Sequence, residues 1–299
     1  MDQANQLRRL METNKVVMPA SSQTPKTYQF NSRLITVTSG KGGVGKSNFT
    51  LNLAIQLSQT GKKVIVIDAD FGMANIEVLI GVMPKRNMLH VLKGECTIHE
   101  AIAEGPHGLS FISGGSGFTD LAALTEQQVE FLIETFTYLD ENFDFILIDT
   151  GAGASHQVVN MVRASKETII VTTPEPTALT DAYAMIKILK SVEPKPEMFI
   201  VINRTESRTE GEEIYLKLNR VSQRFLGLEL KLLGYIPDDP NLAKAVKKQQ
   251  PMTSLFPKSP ASKSIIEISK EIGRNETLLL TQDTSAKGFL TRFTGMFKK

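Results

Sequence analysis

Eight consecutive residues, Gly40-Lys41-Gly42-Gly43-Val44-Gly45-Lys46-Ser47, carry the densest chemistry in the chain. They satisfy the G-x-x-x-x-G-K-[ST] pattern, in which glycines let successive main-chain N–H groups turn inward on phosphate oxygens. Lys46 can reach the β- and γ-phosphates of a nucleoside triphosphate, and the Ser47 hydroxyl can ligate Mg2+. Other polar residues recur at the ends of apolar runs. Asp68 and Asp70 follow Lys63 to Ile67, Asp149 follows Phe143 to Ile148, Asn203-Arg204 follow Met198 to Ile202, and Pro237-Asp238-Asp239 follow Lys231 to Ile236. One acid at a strand end is commonly a helix cap or turn former. Several at the same edge as a phosphate loop point to a site.

Each of these residues suits a role. Asp149 ends an apolar run, as an acid that holds Mg2+ through a water does. Thr150-Gly151-Ala152-Gly153 after it can sense a γ-phosphate and move when it leaves. Asp68 and Asp70 lie two apart, so in an extended segment they point the same way. One suits a metal-bound water and the other the attacking water, and spacing leaves open which does which. Asn203-Arg204-Thr205-Glu206 stands where GTPases carry Asn-Lys-x-Asp, with Arg for Lys and Glu for Asp. Asn203 alone can hydrogen-bond the amino group and N7 of adenine, which favours ATP with Mg2+.

The elements that must position these residues alternate. Leu34-Ile35-Thr36-Val37-Thr38 reads as a strand before the loop, and Asn48 to Leu57 as a helix after it, with Leu51, Ala54, Ile55 and Leu57 at helical spacing. Further strands are expected at Lys63–Ile67, Gly108–Ile112, Phe143–Ile148, Thr168–Thr172, Met198–Ile202 and Lys231–Ile236. Helices are expected at Thr125–Leu139, where Thr125-Glu126-Gln127-Gln128 resembles a capping box, and at Asp181–Lys190, Arg208–Phe225 and Ser262–Ile272. Near-continuous Val/Ile/Leu strands separated by helices predict an α/β fold: a mostly parallel central sheet with helices on both faces. One such domain is expected over residues 33–275, with appendages at 1–32 and 276–299.

The 299 residues are 41% hydrophobic with a formal net charge of +2, which suits a soluble globular chain with a sizeable core and argues against a strongly polyanion-coated protein. The single cysteine, Cys96, excludes a disulfide within one chain, and the four histidines have no metal-like spacing. Even a dimer would bring only two cysteines, which disfavours an iron–sulfur carrier. No apolar run approaches the roughly 18 residues of a spanning helix. The first residues lack the apolar core of a signal peptide, so the expectation is a cytoplasmic protein.

Both appendages carry their own signals. In the tail, Phe289, Leu290, Phe293, Met296 and Phe297 share one helical face, flanked by Lys287, Arg292, Lys298 and Lys299 with no acid from Thr284 onward. A final core helix would have the same apolar face. The basic flanks, large aromatics and two glycines favour a segment that orders on an anionic membrane surface. At the other end, residues 1–10 predict a short helix with Ala4, Leu7, Leu10 and Met11 on one face, set off by a Pro/Ser/Thr/Gln/Lys linker. An amphipathic segment isolated in this way suits docking on a partner.

Taken together, Lys41 to Ser47 resembles the deviant Walker A loop of the MinD/ParA family of P-loop ATPases. Asp68-Ala69-Asp70 resembles that family's switch I and Asp149-Thr150-Gly151-Ala152-Gly153 its switch II, over about residues 33–275. Within the family, Thr173-Pro174-Glu175-Pro176-Thr177, Thr180-Asp181-Ala182-Tyr183 and the N-terminal Asp2-Gln3-Ala4-Asn5-Gln6-Leu7-Arg8 are similar to the FlhG-type flagellar-number regulators. The resemblance implies an ATP-dependent homodimer, with Lys41 contacting phosphates bound by the other subunit, Lys46 acting in its own site and Asp70 positioning the hydrolytic water. It implies contact of Asp2, Gln3, Leu7 and Arg8 with an FlhF-type GTPase, and FliM/FliY-type flagellar C-ring proteins as further partners. The Asp-Thr-Gly-Ala-Gly of switch II departs from the Asp-x-Pro-Ala-Gly common in MinD. Division-site placement fits the loop and tail equally but leaves the N-terminal segment without a role. A DNA partitioner fits less well, because the basic tail is interleaved with Phe.

Overall fold

The computed structural model describes residues 32–70, 75–115, 125–165, 167–191, 196–274 and Arg292. The N-terminal positions Asp2, Gln3, Leu7 and Arg8, and the tail positions Phe289, Leu290, Phe293, Met296 and Phe297, lie outside them.

The strands form where β-branched and aromatic residues alternate in direction but are apolar on both sides. They are β1 (Arg33–Ser39), β2 (Val64–Ala69), β3 (Ala103–Glu104), β4 (Ser110–Ile112), β5 (Phe145–Ala152), β6 (Glu167–Thr172), β7 (Glu197–Thr205) and β8 (Lys231–Pro237). Their order is β3-β4-β2-β5-β1-β6-β7-β8, and among the described residues every pairing is parallel except that of β3 with β4. The expected mostly parallel sheet is thus present, with its antiparallel exception at one edge.

Helices cover both faces. They are α1 (Lys46–Gln59), α2 (Ile76–Ile80), α3 (Met88–Leu92), α4 (Ile98–Ala101), α5 (Glu126–Asn142), α6 (His156–Ala164), α7 (Pro176–Lys190), α8 (Arg208–Leu226), α9 (Pro240–Lys247), α10 (Met252–Leu255) and α11 (Pro260–Arg274). Alternate strand residues sort between the layers. Ile35, Val37, Val64, Val66, Phe145 and Leu147 pack with α1 and α11, whereas Leu34, Ile65, Ile67, Ile146 and Ile148 pack with α3, α5 and α6. Farther along that second face, Ile170, Ile200 and Ile202 meet α6, α7 and α8. The period-2 register of each strand therefore builds two cores at once.

Several boundaries are set by caps. Thr125 accepts from the Gln128 N–H while the Gln128 side chain accepts from the Thr125 N–H, so the expected capping box starts α5. The helix expected from Asp181 begins earlier, because Pro176 fits the first helical turn. The strand expected from Gly108 begins at Ser110, because Pro106–Gly108 form a 3₁₀ turn. At the amino edge, the Arg33 guanidinium binds both carboxylate oxygens of Glu167 and the Ile272 carbonyl, tying β1, β6 and the end of α11. Arg292 Nε donates to the Ala164 carbonyl at 2.7 Å, a cation at the negative end of α6.

Candidate nucleotide site

Because β1 lies between β5 and β6, the loop that follows it is flanked by the ends of both. Parallel strands deliver all their following loops to one edge, and the change of direction from β1 leaves a crevice there. A cavity of about 790 Å³ occupies that crevice, lined by Gly42, Gly43, Gly45, Lys46, Ser47, Asp70, Gly151, Ala152 and Arg204 among others. Two glycines of the loop are fixed by close approach. A Cβ on Gly40 would strike the main chain of Asp181 and Ala182 in α7, and one on Gly45 would strike the Asn203 amide. Gly45 also has φ 92°, a left-handed conformation that suits glycine. Val44, in contrast, is a core residue at 3% exposure, so it anchors the loop.

The two lysines of the loop face different ways. Lys46 opens α1 and is only 7% exposed, and its ammonium lies 3.0 Å from Asp149 Oδ1 and 3.4 Å from Ser47 Oγ. Asp149 is fully buried; its Oδ1 also accepts from Thr50 Oγ, while Oδ2 has no partner among the described residues. A buried carboxylate oxygen left open beside a lysine and a serine hydroxyl suits an incoming hydrated cation. Lys41 instead turns to the rim, 2.9 Å from both Glu175 Oε2 and Thr177 Oγ, at the start of α7. Its hydrogen bond and charge hold the Glu175 carboxyl below its ordinary range.

Asp68 and Asp149 were expected just beyond their strands, but both are inside them, paired in register across β2 and β5. Burial of Asp68, followed by the nearby Asp149 charge, raises its pKa from 3.8 to about 6 despite three opposing hydrogen bonds. Those donors are the N–H groups of Asp70, on Oδ1, and of Asn75 and Ile76, on Oδ2. Asp68 thus fastens the start of α2, and Oδ1 keeps one lone pair. Two adjacent buried acids gain most from a cation nearby, so Ser47, Asp68 and Asp149 fit Mg2+ together. Asp70 is half-buried on the cavity wall, where a Cβ on Gly151 would lie 3.7 Å from its Oδ1. Asp70 and the Thr150-Gly151-Ala152-Gly153 segment are therefore neighbours.

The expected base readers also converge, in a narrower cleft lined by Asn203, Arg204, Pro237 and Asp239. Asn203 and Arg204 lie within β7 rather than after it. Asn203 Nδ2 donates to the Val44 carbonyl at 2.7 Å, which supports the loop and leaves Oδ1 for other use. Asp239 caps α9 through the Asn241 N–H and bonds the Ala261 N–H. Burial raises the Asp239 pKa, yet these N–H groups with Ser259 and Asn241 bring it below its ordinary value. The cleft encloses only about 20 Å³, less room than a nucleobase needs. Sequence reasoning missed Thr50, Glu175 and Thr177 as partners of the site. The signal was a Thr-Pro-Glu-Pro-Thr run after an apolar strand, but its contact with Lys41 depends on β6 lying beside β1.

The ParA family model, described as NUBPL iron-transfer P-loop NTPase, matches residues 31–273. Among curated proteins, the antiactivator FleN of Pseudomonas aeruginosa is 38% identical over 240 residues, 80% of this chain and 86% of FleN. The flagellum site-determining protein YlxH of Helicobacter pylori is also 38% identical, over 83% of this chain and 85% of YlxH. Among solved structures, the cell division ATPase MinD of Pyrococcus furiosus superposes with a TM-score of 0.67 at 28% identity, covering 81% of this chain and 99% of MinD. The septum site-determining protein MinD of Pyrococcus horikoshii, complexed with Mg-ADP, gives 0.67 at 25% identity over 84% and 99%. With its phosphate loop, paired switch acids and sheet order, this chain belongs to the MinD/ParA family of P-loop NTPases.

Proposed function

We propose that this protein is an ATP-switched, membrane-associating regulator of flagellar placement and number. The observation that carries the switch is the contrast within one loop. Lys46 is buried on its own site's Asp149, whereas Lys41 stands at the rim outside the cavity lining. Lys46 would pass from Asp149 to the phosphates of ATP, and Lys41 would cross to phosphates held by a second copy. Ser47 would ligate Mg2+ directly, with Asp149 and Asp68 holding its waters. Mg2+ held there would supply positive charge against the negative charge that builds on the phosphate during transfer. Asp70, beside Gly151, would orient the attacking water, so that hydrolysis to ADP and phosphate loosens switch II and ends the dimer. Asn203, Arg204, Pro237 and Asp239 would border the adenine.

Residues 33–275 are read as the ATPase domain, 276–299 as linker and membrane-targeting helix, and 1–32 as a partner-activating segment and linker. Two tails on one dimer would bind an anionic bilayer through effective concentration where one binds weakly. The protein would then be cytoplasmic and peripheral on the inner face of the cell membrane. Its N-terminus would stimulate an FlhF-type GTPase through Asp2, Gln3, Leu7 and Arg8, with FliM/FliY-type C-ring proteins as further partners. The flagellar reading is supported by the similarity to FleN and YlxH. The structural likeness to MinD keeps division-site placement as the second reading.

Co-sedimentation with anionic vesicles tests the proposal, using ADP or a non-hydrolysable ATP analogue, with and without residues 286–299. The full chain should pellet with the analogue and not with ADP, and the truncated chain with neither. Equal pelleting of the truncated chain would remove the tail's role. Salt-sensitive DNA binding that appears with the analogue, in place of vesicle binding, would favour a partitioning role.

A further inference from the structure

The Lys41 contact has three features that together make it a holding position. The ammonium has two acceptors, Glu175 Oε2 and Thr177 Oγ, each at 2.9 Å. Both belong to the first turn of α7 or its cap, the positive end of a 15-residue helix. A cation there is opposed by the helix dipole, so the contact depends on the Glu175 charge. Lys41 and Glu175 side chains are 38% and 55% exposed, and an ion pair so exposed is weak and screened by salt.

The loop beneath Lys41 is not equally free. Gly40 presses on the Asp181 and Ala182 main chain so closely that no side chain fits between them. The base of the loop is therefore fixed to α7, while the Lys41 side chain can leave by rotation alone. Arg204 adds a second, weaker positive influence on Glu175 from the cavity rim. Glu175, which is not among the cavity's lining residues, can hold Lys41 without blocking the cavity.

We infer that Glu175 and Thr177 are positioning residues that park Lys41 in its own subunit until a second nucleotide-bound copy offers it phosphates. By holding Lys41 back, they set the protein concentration at which dimers form. The inference rests on the proposed role of Lys41 across a dimer. A phosphate cluster outcompetes one exposed carboxylate, and each dimer releases two such contacts, so the effect counts twice.

The test is sedimentation of the full chain with Mg2+ and a non-hydrolysable ATP analogue over a range of protein concentrations. Glu175→Gln should lower the dimer midpoint about 3- to 10-fold, and Thr177→Val should lower it less. Glu175→Asp, which keeps the charge, should lie near wild type, and fluorescent ADP affinity of the monomer should be unchanged in all three. In a Lys41→Ala background, Glu175→Gln should change nothing, which a merely structural role would not produce. An unmoved or raised midpoint in both Glu175→Gln and Thr177→Val, with ADP binding intact, overturns the inference. A Lys41→Ala protein that dimerises like wild type overturns instead the reading on which it rests.

Discussion

Two buried ion pairs stand at opposite edges of one sheet, and they are built to different ends. At the amino edge, Arg33 and Glu167 are 4% and 2% exposed. Arg33 gives three bonds to the two Glu167 oxygens and one more to Ile272, so both groups are well satisfied. At the carboxyl edge, Lys46 and Asp149 are as deeply buried, at 7% and 0%, but share a single contact and leave Asp149 Oδ2 without a partner among the described residues. A planar guanidinium fork matches a carboxylate and is costly to exchange, whereas an ammonium is a point charge that can change partners. Burial alone does not tell these two pairs apart; the unsatisfied oxygen on Asp149 does, and it is this pair to which the proposed function assigns work.

The sharpest way to break the comparison is to remove one cation from the working pair. Lys46→Ala should lower ATP turnover by about 10³-fold or more, equivalent to about 4 kcal/mol of barrier, in a steady-state phosphate-release assay. Its thermal stability should fall less than that of Glu167→Ala, because Lys46 lines the cavity and its removal opens a path for water toward Asp149. Glu167→Ala should do the reverse. It leaves the Arg33 guanidinium buried without its partner, and should cost about 4 kcal/mol in denaturant unfolding. Residual folded Glu167→Ala protein should still bind fluorescent ADP. Loss of turnover in Glu167→Ala without loss of stability would erase the distinction.

The two edges also differ in how far they could be read from sequence. The phosphate loop, the strand series and the α5 capping box were legible because each is a local pattern: glycines at fixed offsets, β-branched runs, Thr three before Gln. Their layering was legible too, since parallel strands need cover on both faces. Sheet order was not, and with it went the partners of Lys41, because Glu175 is 134 residues away in the chain. The same holds for Arg33, whose basic character at the start of an apolar run gives no hint of Glu167. Asp68 and Asp239 were found as acids near the site, but their hydrogen bonds to α2 and α11 neighbours depend on tertiary approach. The Asn203 amide was read as a base contact, while the fold also sets it on the Val44 carbonyl.

Asp68 sharpens the comparison through pH, because it is paired in register with a second buried acid, Asp149, whereas Glu167 is gripped by the Arg33 guanidinium. The Asp68 pKa, raised from 3.8 to about 6, means that the folded chain keeps a proton over that window after the unfolded chain has lost it. Stability from this group is therefore present below 3.8 and is lost as pH rises to 6. The wild type, free of metal and nucleotide, should lose about 2 kcal/mol relative to Asp68→Ala between pH 4 and pH 6, measured by urea unfolding. Mg2+ with nucleotide should flatten the difference, because a cation beside Asp68 and Asp149 favours their charged forms.

The smallest effect is the most telling about the amino edge. Burial pushes the Glu167 carboxyl above its ordinary range even though Arg33 pulls it down through hydrogen bonds and charge. The pair therefore recovers only part of what desolvation costs, and its loss as a pair should matter far less than the loss of one member. Arg33→Met with Glu167→Leu keeps similar volume and removes both charges, so its stability should lie within about 1 kcal/mol of wild type. ATP turnover in the double variant should match wild type, since neither residue lines the nucleotide cavity. The α11 end would feel the change, because the Ile272 carbonyl loses the Arg33 donor, and hydrogen exchange should quicken at the last turn of α11 alone. A double variant as unstable as Glu167→Ala would mean that the charges themselves, and not the filling of that edge, hold β1, β6 and α11 together.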